Sequence, residues 1–195
     1  PKQGENFEPV PGFHEGSSWN YSFMVPHDVQ GLIKMHGGKR KFVNKLQEVF
    51  DDGHYDPTNE PNIGYPFLFS YVKGEEWRTQ QLTQELLAKH FKNSPDGLPG
   101  NDDTGTMSTW AVFCMMGFYP DDATSPSYTF TTPIFDNVTL KLASKNLEIE
   151  VVRPTEKARF IDKIVIDGKR YNSYRISHDD LMKAGKVVFY LKEKK

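Results

Sequence analysis

The hydrophobic positions of this chain change period partway along it. Between residues 29 and 50, apolar side chains at Leu32, Ile33, Met35, Phe42, Val43, Leu46, Val49 and Phe50 recur at helical spacing, and Gly37-Gly38 divides the run into two helices. Residues 63–72 form a short apolar run rich in aromatics. Residues 76–91 place Trp77, Leu82, Leu86 and Leu87 on the spacing of an amphipathic helix, and Ser94-Pro95-Asp96-Gly97 follows as a turn. The run 104–119 predicts a further helix, apolar around most of its circumference and therefore largely buried.

Beyond that point the period shortens. Residues 128–132, 138–142, 147–152, 163–166 and 187–191 alternate or run apolar between Asn, Asp, Gly and Pro, which is the pattern of strands. Asp167-Gly168, between Ile166 and Lys169, is a hairpin-turn sequence. The chain therefore reads as α+β, helices first and an antiparallel sheet after. A boundary near residues 121–126 gives units 1–122 and 123–195. There is no internal repeat and no low-complexity segment, and Lys192 to Lys195 reads as a solvated tail.

Composition narrows the function classes. A length of 195 residues with 37% hydrophobic content suffices for one domain or two small ones. Twenty-six acidic residues against 24 Lys and Arg give a net charge of −2, so no global field draws the chain to nucleic acid or anionic lipid. A small neutral substrate or a protein partner fits better. The single cysteine, Cys114, lies in an apolar run and reads as a buried core thiol. No stretch approaches the roughly 20 apolar residues of a membrane span, and no basic-then-apolar leader opens the sequence. It opens instead at Pro1 in a polar, loop-like stretch, as expected of a processed product or a piece of a longer chain.

Three acidic positions carry candidate chemistry. Glu15 lies among Phe13, Trp19, Tyr21 and Phe23; aromatic surroundings desolvate a carboxyl, raise its pKa and suit it to general-acid work, whereas the alternative is an exposed loop Glu. Asn59-Glu60 sits in a loop stiffened by Pro57, Pro61 and Pro66. Its oxygens are of the kind a hard cation such as calcium accepts, and the alternative is a capped helix start. Asp102 and Asp103 are adjacent carboxylates before an apolar helix: a catalytic base, a metal ligand, or a cap formed by Asp103 with Thr104 and Thr106. His27-Asp28 and His178-Asp179-Asp180 read as helix starts or turns. No nucleophile-elbow, zinc-protease, paired-cysteine or phosphate-loop motif is present.

Taken together, FHEGSSWNYSFMVPHDVQGLI, NEPNIGYPFLFSYVKGEEWRTQ and DGLPGNDDTGTMSTWAVFCMMGFYP, in that order, resemble the C-terminal part of family 92 glycoside hydrolases, calcium-dependent exo-α-mannosidases. The resemblance implies the last helices of an (α/α)6 barrel followed by an antiparallel β-sandwich-like region, with a larger N-terminal portion of the same enzyme as the missing partner. It implies Glu15 as general acid and Asp103 as general base, with Asn101 and Asp102 in support. It also implies Asn59 and Glu60 in the calcium region. Trp19 and Trp110 become candidate sugar platforms or pocket walls, with burial in the core as the alternative. His54 falls in the stretch 53–56, where linkage preference varies. An inverting mechanism on a mannose-containing glycan places the two catalytic carboxyls about 6.5–9.5 Å apart. The family further implies an extracellular, periplasmic or cell-surface location. A reading of a different class is a noncatalytic glycan-binding or assembly module.

Overall fold

The computed structural model describes residues 12–14, 16–122 and 124–195. The helical half opens with α1 (Ser18–Tyr21), α2 (Val29–Met35) and α3 (Lys39–Asp51). The Gly37-Gly38 break between α2 and α3 has both glycines at positive φ, 81° and 100°, a conformation that side chains disfavour. Asp28 caps α2 by accepting the Gly31 N–H at 2.8 Å, so the His27-Asp28 pair is a helix start. The aromatic run becomes two 3₁₀ segments, Glu60–Asn62 and Tyr65–Tyr71, with Tyr65, Phe67 and Phe69 almost wholly buried. Prolines near the start of each fit the first turn of a helix, where a missing N–H leaves nothing unpaired. Helix α4 (Glu76–His90) and helix α5 (Thr106–Met116) complete this half.

Helix α5 is shorter than its apolar pattern. Asp103, Thr104 and Gly105 all have positive φ (43°, 59° and 91°), which a right-handed helix excludes, and Gly117 at φ 98° ends it. The chain then enters β1 (Phe118–Tyr119) and β2 (Ser127–Phe130), followed by β3 (Asn137–Lys141), β4 (Asn146–Val152), β5 (Phe160–Ile166), β6 (Lys169–Tyr171) and β7 (Arg175–Ser177). The short helix α6 (His178–Lys183), capped by Ser177, leads into β8 (Lys186–Lys192). His178 is therefore a helix start too. The Asp167-Gly168 turn joins β5 to β6 with both residues at positive φ.

The strands form two sheets, ordered β1-β2-β7 and β3-β4-β8-β5-β6. Phe118, Phe130 and Ile176 from the first pack with Ile149, Ile164 and Phe189 from the second in one core. The all-antiparallel expectation needs correction: β4 pairs with β8 in parallel. The connection between them carries β5, β6, β7 and α6, long enough to return β8 in the same direction as β4.

The two halves meet through polar contacts as well as apolar ones. Gln80 of α4, buried, accepts the Ile161 N–H of β5 at 2.8 Å, and Gln84 donates to Arg159 O at 3.0 Å. Arg175 of β7 pairs with the fully buried Asp121 carboxylate at 2.9 Å, reaches Thr129 Oγ1 and Ser127 Oγ, and lies 4.2 Å from the centre of the Tyr71 ring. Lys195, expected in a solvated tail, stacks its ammonium over Trp77 at 3.6 Å.

Candidate active site

The three sequence motifs converge on the loop that precedes and includes the 3₁₀ segments. Helix α1 docks there first. Ser17 directs both its backbone N–H and its hydroxyl to Asn20 Oδ1, at 2.8 and 2.9 Å. Asn20 in turn donates Nδ2–H to Asn62 Oδ1 at 3.3 Å, and Asn20 and Asn62 are buried. Tyr65 closes the attachment: its hydroxyl accepts the Phe23 N–H at 3.0 Å and donates to Asn20 O at 2.7 Å. Burial raises the Tyr65 hydroxyl well above the usual phenol range, so it stays protonated and remains a donor. Gly16 permits this approach, because a Cβ there would stand 3.2 Å from Asn20 Cβ and Oδ1. Glu15 itself, and with it the separation of the two candidate carboxyls, lies outside the described residues.

The segments on either side of the acidic pair also contact this loop. Gly100 packs on Thr58, where an added Cβ would meet Thr58 Cβ at 2.9 Å and its carbonyl oxygen at 3.1 Å, so the chain just before the acidic pair lies against the residue preceding Asn59. Trp110 ties α5 to the same loop by donating Nε1–H to Ile63 O at 3.0 Å. Within the pair the roles are unequal. Asp102 Oδ1 accepts the Ser108 N–H at 2.8 Å, Oδ2 accepts the Ser108 hydroxyl at 2.5 Å, and its backbone carbonyl accepts the Met107 N–H. The Ser108 hydroxyl above all, then the Ser108 N–H, holds the Asp102 carboxyl below the usual aspartate range.

Gly105 holds the N-cap position of α5, and the carboxylate that serves its first turn is thus that of Asp102. Of Asp103, only the backbone carbonyl takes part, accepting from Thr106 N and Thr106 Oγ1. Its side chain is exposed and, among the described residues, makes no hydrogen bond or ion pair. Two successive non-glycine residues in the left-handed region, Asp103 and Thr104, store backbone strain at this point, as functional sites often do.

Asn59 is buried with extended backbone, at the start of the Glu60–Asn62 segment, and its side chain does not cap that segment. Glu60 is half-buried and faces a cleft that also touches Ile63, Tyr119 and Asp121. An amide and a carboxylate, with no thiol or imidazole in the run, are the donors a hard cation takes. Among the described residues no group of three or more His, Cys, Asp or Glu is placed to hold a metal. The oxygens that the described residues offer here to a calcium ion are those of an amide, a carboxylate and the backbone, a mixture that ion accepts.

Trp19 and His54 stack, ring centres 4.2 Å apart, and Lys45 Nζ lies 4.1 Å from the Trp19 ring. A sugar could stack on Trp19 only by displacing one of them. His54 lines a cleft of about 290 Å³ with Ser17, Asn20, Asp52, Tyr55 and Asp56, so it does reach the space beside α1. Trp110 takes the buried alternative: at 2% exposure, stacked on Phe91 and edge-on to Phe67, it has no ring face to offer a sugar. It braces the site from within the core. Sequence reasoning missed Ser17, Asn20, Asn62, Tyr65 and Ser108. Only the Ser17-to-Asn20 spacing, that of a capping box, gave any local signal.

This α+β unit thus joins the chain ahead of its paired acids to a proline-stiffened loop that carries an amide and a carboxylate. The chain belongs to glycosyl hydrolase family 92: residues 2–193 match that family's catalytic domain. A family GH92 α-mannosidase from Bacteroides thetaiotaomicron, solved with mannoimidazole, superposes with a TM-score of 0.86 at 29% identity, covering 99% of this chain and 28% of that one. A family GH92 inverting mannosidase from the same organism gives 0.83 at 26% identity over 93% of this chain and 28% of its own. An uncharacterized secreted glycosidase of Arthroderma benhamiae is 30% identical over 182 residues, 91% of this chain and 23% of that protein. The chain thus spans about a quarter of the length of these relatives. Among the described residues no helix is long and apolar enough to cross a membrane.

Proposed function

We propose that this chain forms part of an exo-acting α-mannosidase that removes terminal α-linked mannose from glycans with inversion, working with an N-terminal portion of the kind its relatives carry. Its helices would then be the last of an (α/α)6 barrel. The observation that carries the reading is the division of labour at Asp102-Asp103. One carboxylate is fixed to the start of α5 by Ser108, and the next is, among the described residues, left unbonded on a strained turn three residues after the Gly100 contact with Thr58. A general base needs such a free carboxylate with a rigid support.

In this reading Asp103 takes a proton from water as the water attacks the anomeric carbon, and Glu15 gives its proton to the departing glycosidic oxygen. Asp102 keeps its charge and holds the turn in place. Asn59 and Glu60 would hold calcium, which when bound supplies Lewis-acid and template chemistry at the sugar hydroxyls. Trp19 and His54 border the space the sugar would enter. A location outside the cytoplasm, whether extracellular, periplasmic or at the cell surface, goes with this activity and with the secreted fungal relative.

The test is mannose release by the completed enzyme. Asp103→Asn and Glu15→Gln should each lower turnover by roughly 10²-fold or more while calcium binding persists. Chelation should lower turnover reversibly. Retained turnover in both variants would sink the assignment, and absence of hydrolysis from the unaltered enzyme on every α-mannoside would favour a binding module.

A further inference from the structure

Asn62 is 0% exposed, and its amide is half satisfied. Its orientation is fixed by a chain of donors. The Ser17 N–H can only donate, so Asn20 must turn Oδ1 towards it. Asn20 Nδ2 then faces Asn62 and requires an oxygen there, which sends Asn62 Nδ2 the other way, with no acceptor among the described residues. A buried amide with one stranded N–H is a poor choice for stability alone, since an apolar side chain of similar shape would avoid the penalty. Its remaining bond does one thing: through Asn20 it joins the turn at Ser17, two residues after Glu15, to the segment that begins at Glu60. Gly16 and Tyr65 serve the same joint, one by leaving room for Asn20 and the other by binding its carbonyl.

We propose that the Asn20–Asn62 amide pair is a positioning element for the general acid, setting the Ser17 turn, two residues after Glu15 in sequence, against the segment that begins at Glu60. This rests on the reading of Glu15 given above. The expected consequence is selective. A displaced acid slows departure of an alcohol that must be protonated, but hardly affects a leaving group stable as an anion.

The experiment compares methyl α-mannoside with 2,4-dinitrophenyl α-mannoside in the completed enzyme, for Asn62→Leu, Asn62→Ser, Asn62→Asp and Glu15→Gln. Asn62→Leu and Asn62→Ser break the link and should lower kcat on the methyl glycoside about tenfold or more, with KM and the dinitrophenyl rate changed less than about twofold. Asn62→Asp, which burial favours in its protonated and therefore neutral form, keeps an oxygen facing Asn20 and, at a pH where that proton is held, should stay within about threefold of the parent on both substrates. Equal losses on the two substrates, no loss on either, or an Asn62→Asp variant as impaired as Asn62→Leu would each overturn the proposal. If Asn62→Leu does not fold, the contrast between Asn62→Ser and Asn62→Asp decides it. Glu15→Gln separates the two levels. If it lacks the leaving-group dependence, the assignment of Glu15 falls; if it shows the dependence and the Asn62 variants do not, the positioning role alone falls.

Discussion

Replacing Arg175 with methionine should destabilise the joint between helices and sheets far more than a surface ion pair would. The Asp121 carboxylate is fully buried and Arg175 is 23% exposed. Without the guanidinium, Asp121 keeps the Thr129 hydroxyl at 2.7 Å but no cation among the described residues, while Asp122 loses its ion pair, Ser127 loses a donor and Tyr71 loses the cation over its ring. Stranding a buried charge in this way costs about 3–5 kcal/mol; the partial exposure of Arg175 puts the expectation near ~3 kcal/mol. Asp121→Asn in the same chain removes the uncompensated charge, so the double variant should recover part of the loss, with a coupling of about 1.5 kcal/mol or more. Urea unfolding of the four proteins of the cycle, followed by tryptophan fluorescence, measures both terms. A single-variant loss below about 1 kcal/mol with coupling under about 0.5 kcal/mol would refute the argument, because those are the values of a solvated pair.

Other consequences can be checked directly. Asp102 titrates below its ordinary range in the folded state, so its contribution is present above the unfolded value and is lost as pH falls through the lowered one. Exchange of the Ser108 amide should accelerate in acid through that window, and Ser108→Ala should move the Asp102 titration back up, as read by carboxyl NMR. Gly100→Ala should force the acidic loop away from Thr58 and lower kcat/KM about tenfold or more; a variant as active as the parent would mean the contact does not set the site. Trp110→Phe should lose about 1–3 kcal/mol of stability by leaving Ile63 O without its donor, with KM unchanged; a raised KM would return Trp110 to the sugar.

Where structure follows from local pattern, the sequence was informative. The Gly37-Gly38 break, the helix through Leu86 and Leu87, and the Asp167-Gly168 turn all rest on side chains within a few residues of one another. The parallel pairing of β4 with β8 does not, because nothing within either strand encodes the direction of a partner some forty residues away. The acidic pair shows the same limit on a smaller scale. Spacing marked Asp102-Asp103 as a cap or a base, but which carboxylate does which depends on three consecutive left-handed residues, and only the glycine among them announces itself. Asn20 and Asn62 were invisible for a related reason: each is an ordinary polar residue until the other is brought 3.3 Å away.

The joint at Gln80 and Arg175 bears on how such a chain can be recombined. A cut at 121–126 looks like the natural seam between a helical module and a sheet module, yet acceptor and donor lie on opposite sides of it. Exchanging the sheet half for a foreign one would leave Gln80 facing a new backbone and Asp121 without its guanidinium. The transferable unit is therefore larger than the seam suggests: a viable graft carries α4 and the loop at Asp121 together with the strands they grip.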